Sequence, residues 1–199
     1  MSESNSISNR IGYSEKINDP AFAKYLKNAN RWSGLFSLGL AVIAIIGFFV
    51  YGETSPEMDN PQALFIGLGI GGMFVSIALF QIAGRASSKT WDGVVVDRKI
   101  NRRHRRKQAG NNDSYDEKYL EFKVSIKRDG GKTVDLTAEE DDTLYRYYQI
   151  GDRVRHHGGL NSFEKYDKSK DDIVFCNACA SLNDINDEYC FRCNCPLLK

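Results

Sequence analysis

The sequence predicts an α+β membrane protein in three parts: a two-helix transmembrane hairpin, a small antiparallel β domain and a compact C-terminal module stapled by cysteines. Three observations carry this prediction. Two long blocks without a charged residue lie in the first half of the 199 residues. Short segments of alternating polarity, separated by turn residues, follow them. Near the C-terminus stand two cysteine pairs, Cys176-x2-Cys179 and Cys190-x2-Cys193, with ten residues between them.

Residues 1–31 read as a cytoplasmic tail and a juxtamembrane amphipathic helix. The first twelve residues, MSESNSISNRIG, are polar and rich in Ser and Asn, which predicts a mobile tail. Asp19-Pro20 predicts an N-cap followed by proline at the first helical position. Phe22, Tyr25, Leu26 and Ala29 then fall on one face, with Lys24, Lys27, Asn28 and Arg31 on the other. This stretch is either an amphipathic helix on the inner membrane surface or an extension of the first span.

Residues 32–51 and 61–84 are each long enough, at the roughly 20 residues that a helix needs, to cross a hydrocarbon core of about 30 Å. The first block fits poorly as a cleavable signal peptide, because a long polar segment precedes it and no A-x-A site follows. Arg10, Lys16, Lys24, Lys27 and Arg31 flank the first span, and Arg85, Lys89, Arg98 and Lys99 follow the second. The connecting turn, residues 52–60, has Glu53, Glu57 and Asp59 but no base. Retention of Lys and Arg on the inner side therefore predicts a two-pass cell-membrane protein with both termini cytoplasmic. A reducing compartment also keeps thiols available for metal.

Ser33, Ser37 and Ala41 recur at helix-packing spacing in the first span, as do Gly67 with Gly71 and Gly72 with Ser76 in the second. Either the two helices pack only against each other, or the glycine face also supports a homo-oligomer. No Asp, Glu, Lys, Arg or His lies inside either span, so ion or proton transport is not expected.

Residues 90–170 predict a cytoplasmic β-rich domain. Residues 91–99 are β-branched and short, while Leu120, Phe122, Val124 and Ile126 alternate with polar residues. Asp129-Gly130-Gly131 supplies a turn before Val134 and Leu136, giving a hairpin with one buried face. A helical turn or irregular segment over residues 139–148 places Leu144 and the tyrosines over the open side of the sheet. Short strands over residues 153–156 and 163–166 complete a curled antiparallel sheet or a barrel of the SH3 or OB kind. His156 and His157 should point to opposite faces, leaving at most one toward solvent.

The paired cysteines can close a tetrahedral Zn²⁺ site, since thiolates suit zinc and the x2 spacing lets both sulfurs of one hook reach one ion. A redox dithiol would need one such pair at a helix start in a βαβ setting, which is absent. The segment FCNACASLNDINDEYCFRCNCPLL, within residues 174–199, closely resembles the short bacterial zinc ribbons. Asn183 after the first hook, aromatic Tyr189 before the second, and Pro196 and Leu197 at the end carry the likeness. The resemblance implies structural Zn²⁺ on Cys176, Cys179, Cys190 and Cys193. Ala180 and Asn194 stand where the family usually has glycine. The spacing also resembles the Ran-binding-protein type finger, but Val174 replaces its aromatic and Ala180-Ser181 its Thr-Phe, so that family's RNA and ubiquitin binding are not carried over. Cys195 is an alternative ligand, a reactive thiol or a small buried residue. The whole layout loosely resembles small bacterial membrane proteins with a two-helix hairpin, a β-rich cytoplasmic domain and a terminal zinc ribbon, a likeness that implies no activity.

Seven of the ten residues from 98 to 107 are cationic: Arg98, Lys99, Arg102, Arg103, Arg105, Arg106 and Lys107. Followed by QAGNNDSYDE, they read as a basic loop. Anionic lipid is the nearest polyanion, nucleic acid is a second candidate, and a solvated hairpin tip is the third reading. The run lacks the interleaved aromatics of a stacking platform. Acidic residues 139–142 are either its counterpart within the chain or a helix start.

No nucleophile–base arrangement, metalloprotease motif or phosphate-binding glycine loop is present, so enzyme activity is not expected. The reading that follows is a membrane-anchored zinc-ribbon adaptor presenting a cytoplasmic protein-interaction surface. The alternative is binding of anionic lipid or nucleic acid through residues 98–107.

Overall fold

The computed structural model describes residues 10–109 and 113–199. Residues 1–9 of the expected tail and 110–112 of the expected loop lie outside the described residues. The chain forms two compact units. One holds residues 18–89 with 158–161; the other combines the segment up to Ile17 with Thr90–His157 and Ser162–Lys199.

The first unit is a helical hairpin of α1 (Pro20–Thr54) and α2 (Gln62–Ser87), both long and apolar enough to cross a membrane. The Asp19 carboxylate accepts the Ala21 N–H at 2.8 Å, and Pro20 starts the helix as the sequence predicts. α1 then runs 35 residues without a break, so the stretch from Pro20 to Arg31 is continuous with the apolar block. Neither proline nor glycine interrupts that stretch.

The two helices meet along a seam of small residues. Ser37 and Ala41 are buried on α1, and Ala63, Gly67, Gly71 and Ala78 on α2. A Cβ on Gly67 would lie 3.0 Å from the Phe48 Cβ and 3.1 Å from the Ile45 Cα, and one on Gly71 would lie 3.2 Å from the Ala41 carbonyl oxygen. Close backbone approach is what these glycines permit. Gly69 and Gly72 face open space. Phe36, Ile43, Phe65 and Phe80 point outward and are exposed.

The second unit contains a five-stranded antiparallel sheet in the order β3-β2-β1-β4-β5. Its strands are β1 (Trp91–Ala109), β2 (Asp113–Arg128), β3 (Thr133–Glu139), β4 (Arg153–His157) and β5 (Ser162–Lys165), with the short α3 (Thr143–Tyr147) between β3 and β4. β3 and β5 are its two edges. Val124 faces Leu136 and Ile126 faces Val134, so the β2–β3 hairpin has the expected register. Val95, Val124, Ile126, Tyr147, Tyr148 and Val154 form the core, with Leu144 packed against it as expected.

β1 and β2 are much longer than the sequence suggests. The basic loop expected at 98–107 is strand throughout, and pairing continues to Ala109 and Asp113. Arg and Lys carry little intrinsic strand preference, but across the ladder they meet Glu117 and Glu121. Both histidines of β4 are buried, so neither faces solvent, within the expectation of at most one. His156 stacks on Trp91 with centroids 5.1 Å apart, and His157 Nε2 lies 2.7 Å from the Glu164 carboxylate.

A two-stranded sheet of β6 (Ile173–Phe175) and β7 (Leu182–Asp184) carries the cysteines. Phe175 meets Tyr147 edge-on at 5.0 Å, and the Asn177 amide donates to the Ser162 hydroxyl at 3.1 Å. The cysteine module and the five-stranded sheet are thus parts of one compact unit.

Residues 10–12 are not free, which corrects the expected tail at that end. Ile11 bridges Asp167, the Gly12 N–H donates to the Tyr166 carbonyl at 2.8 Å, and the Lys168 N–H donates to the Arg10 carbonyl at 2.9 Å. Backbone pairing, for which a polar sequence gives no hydrophobic signal, supplies the attachment.

Candidate metal centre

Each cysteine hook is a tight backbone knuckle, and the two are near copies. The Cys176 N–H donates to the Ser181 carbonyl and the Ala180 N–H to the Cys176 carbonyl, at 2.9 and 2.8 Å. In the second hook Cys190 pairs with the Cys195 carbonyl and the Asn194 N–H with the Cys190 carbonyl, both at 2.9 Å. The turn needs a left-handed residue at its fourth step. Ala180 and Asn194 occupy it with φ of 57° and 56°, a conformation that glycine adopts most readily.

The knuckles bring four sulfurs together. One Sγ each from Cys176, Cys179, Cys190 and Cys193 lie within 4.8 Å of one another, with Cys176 to Cys193 at 3.5 Å and Cys179 to Cys190 at 3.6 Å. Four sulfurs placed about 2.3 Å from one ion sit about 3.8 Å apart in a tetrahedron. The spacing fits such an ion, and no disulfide joins the thiols. All four ligands would come from the protein, which leaves no open coordination position. An S4 donor set suits zinc or iron.

Backbone amides support the sulfurs. The Arg192 N–H lies 3.4 Å from the Cys190 Sγ, and the Ser181 hydroxyl lies 3.3 Å from the Cys179 Sγ. Burial pushes the Cys176 thiol up to about 11. Burial also opposes ionisation of Cys190, yet hydrogen bonds from the N–H groups of Cys193 and Arg192 and with the Cys179 and Cys193 side chains together outweigh it and lower that thiol to about 7. Asn183 links the knuckles: its amide donates to the Ser181 carbonyl at 2.7 Å, and its carbonyl oxygen accepts the Phe191 N–H at 3.1 Å. Cys195 is buried and is not among the four clustered sulfurs.

No protein-family model, curated protein or solved structure matches this chain.

The cationic residues are not brought into one cluster. Lys99 pairs with Asp97 at 2.7 Å, Arg103 with Glu121 at 3.1 Å, Arg105 with Glu117 and Glu139 at 3.1 and 3.0 Å, and Lys107 with Glu117 at 2.8 Å. Arg98 belongs to the fold, lying 4.0 Å over the Tyr145 ring and donating to the Tyr145 carbonyl and Gln149. Arg106 donates to the Ser114 hydroxyl at 2.9 Å. Arg102 has no acidic partner among the described residues. Of the acidic group, Glu139 does meet Arg105, while Asp142 precedes α3 and pairs with Arg146 at 2.7 Å.

Sequence reasoning missed a buried charge network. Lys168 Nζ lies 2.9 Å from the Glu164 carboxylate and donates to the Gly12 and Lys165 carbonyls, while Glu164 also accepts the Ser14 N–H at 2.7 Å. In the sequence, Lys168 stands in the charged stretch YDKSKDD, whose composition reads as solvated surface.

Proposed function

We propose that the protein is a membrane-anchored zinc-ribbon adaptor whose cytoplasmic body presents a protein-interaction surface. The observation that carries this reading is Phe191, an aromatic that is 76 % exposed inside the second hook, with Tyr189 and Leu182 exposed in the same module. Aromatic side chains held outward on a rigid, metal-stapled frame suit an interface anchor. The closed donor set favours a structural over a catalytic metal, and zinc is the ion that the ribbon resemblance and the tetrahedral thiolates favour.

The helical hairpin serves as the anchor in a bacterial cell membrane. Segments on both sides of it, residues 10–17 and then 90–157 with 162–199, belong to one folded unit, which supports an even number of crossings. The excess of Lys and Arg beside both spans supports the cytoplasmic side for that unit. Any self-association through the helices would use Gly69 and Gly72, because Gly67 and Gly71 are occupied within the hairpin.

Crosslinking in intact cells, followed by capture of the full chain, tests the proposal. The same partner should be recovered with the wild type, lost with Cys176→Ser and with Phe191→Ala, and retained with Phe36→Ala. A partner that survives both ribbon substitutions would contradict it.

A further inference from the structure

Strand alternation divides the basic run into two faces of different character. β3 pairs with β2 only from Glu121 onward, and β4 reaches only residues 91–94 of β1, so beyond Arg102 the two long strands form an arm of their own. On one face, Arg103, Arg105 and Lys107 each meet Glu117 or Glu121. These pairs hold together a two-stranded ribbon that would otherwise be marginal.

The other face lacks that compensation. There the register sets Ile100 against Phe122, Arg102 against Leu120, His104 against Lys118 and Arg106 against Asp116. Arg102, His104 and Lys118 form no ion pair among the described residues. Together with Tyr119, Leu120 and Glu140 they line an open cleft of about 560 Å³. Ile100 and Leu120 stand beside Arg102 and Lys118 with 51 % and 37 % of their surfaces exposed. Nearer the sheet the same face is covered, since Phe122 packs on Tyr145 at 5.7 Å.

We propose that this face docks on the anionic phospholipid headgroups of the membrane that the helices cross, an inference that rests on reading α1 and α2 as spans. Arg102 and Lys118 meet the phosphates by charge complementarity, while Ile100 and Leu120 enter the boundary between headgroup and acyl chain. Residues 88–90 alone separate α2 from β1, which keeps Trp91 within about 14 Å of the helix end. Arg102 is then at most about 36 Å further along the strand, so the inner surface is within its reach. Nucleic acid fits this face less well. Single strands are held by stacking on aromatic rings; by register Tyr115 belongs to the opposite face, and Tyr119, which borders the cleft, has Arg105 4.8 Å over its ring.

The test reconstitutes the full chain into vesicles containing a photoactivatable phosphatidylserine or, separately, a photoactivatable phosphatidylcholine, and maps crosslinks by peptide mass spectrometry. Crosslinks to residues 98–122 should form with phosphatidylserine in clear excess over phosphatidylcholine and decline as salt is raised. They should be lost in R102E/K118E and retained in R103Q/R105Q, which alters the opposite face. Equal labelling by both lipids, or labelling that persists in R102E/K118E, would overturn the proposal. So would protection of the same face by a single-stranded RNA in phosphatidylcholine vesicles, if charge reversal abolished it. Crosslinks from either lipid to residues 32–51 and 62–84 report insertion separately, so their absence would sink the membrane reading itself and, with it, this docking.

Discussion

The backbone N–H of Gly12 donates to the carbonyl of Tyr166 at 2.8 Å, which fastens the segment before the first helix to the body built after the second. Below it lies Lys168, fully buried, whose ammonium holds the Gly12 carbonyl at 3.1 Å and the Glu164 carboxylate at 2.9 Å. Truncating one partner of a buried ion pair leaves the other charge without compensation. Lys168→Met should therefore destabilise the body by about 3 kcal/mol and expose the N-terminal segment to protease. Denaturant unfolding with limited proteolysis checks both outcomes.

Acid should weaken the same region. Asp92 meets Arg155 through two parallel hydrogen bonds of 2.7 and 2.8 Å, and this contact holds its carboxyl below the usual aspartate range. A folded pKa below the unfolded value of about 3.9 means that the folded form binds fewer protons in that window. The contribution is complete above about pH 3.9 and is lost as pH falls through the folded value. Asp92→Asn should flatten the stability profile over that acid window, measured by denaturant midpoints.

Alkali should act through Tyr13, whose ring lies 3.9 Å beneath the Arg155 guanidinium. Burial pushes its hydroxyl up to about 12, with the nearby Asp92 adding to the effect. Stability from this group is complete below an unfolded value of about 10 and is lost as pH rises toward the folded one. Burial also holds up the hydroxyls of Tyr147 and Tyr148. Ultraviolet titration should therefore show several tyrosines ionising late, and Tyr13→Phe should remove one of these late components together with the release of the N-terminal segment that accompanies it.

Much of the metal centre was legible in the sequence, because cysteine spacing constrains geometry directly. The paired hooks, the linking Asn183 and the left-handed positions at Ala180 and Asn194 all follow from local backbone needs. The helices were legible for a similar reason, as length without charge leaves few alternatives. The arm of β1 and β2 was not, since cations dominate 98–107 and the acids that compensate them come from β2 and β3. Nor was the fastening of residues 10–12, which rests on backbone hydrogen bonds and on a lysine about 150 residues away in sequence.

Ala180 is the strained member of the two knuckles, holding φ of 57° without the freedom of glycine. A left-handed backbone costs a residue with a Cβ about 1 kcal/mol. Ala180→Gly should raise the stability of the loaded ribbon by up to about 1 kcal/mol, whereas Ala180→Val should lower it. Resistance to a competing chelator, measured as the midpoint of metal release, reads both directions.

The helix seam makes a contrasting pair of predictions. Gly71→Leu must push against the Ala41 backbone and should cost about 1 to 3 kcal/mol in detergent. Gly72→Leu enters open space and should leave hairpin stability unchanged. Thermal melts of the two variants in the same detergent distinguish a shared seam from a general intolerance of bulk.

Metal analysis of the full chain extracted from membranes, set beside Cys179→Ser, tests the account most directly. The proposed structural zinc on the four clustered sulfurs predicts one zinc per chain, with the metal lost and the cysteine module locally unfolded in the variant. A metal-free wild type, a disulfide between hooks or an unchanged zinc content in Cys179→Ser would contradict it.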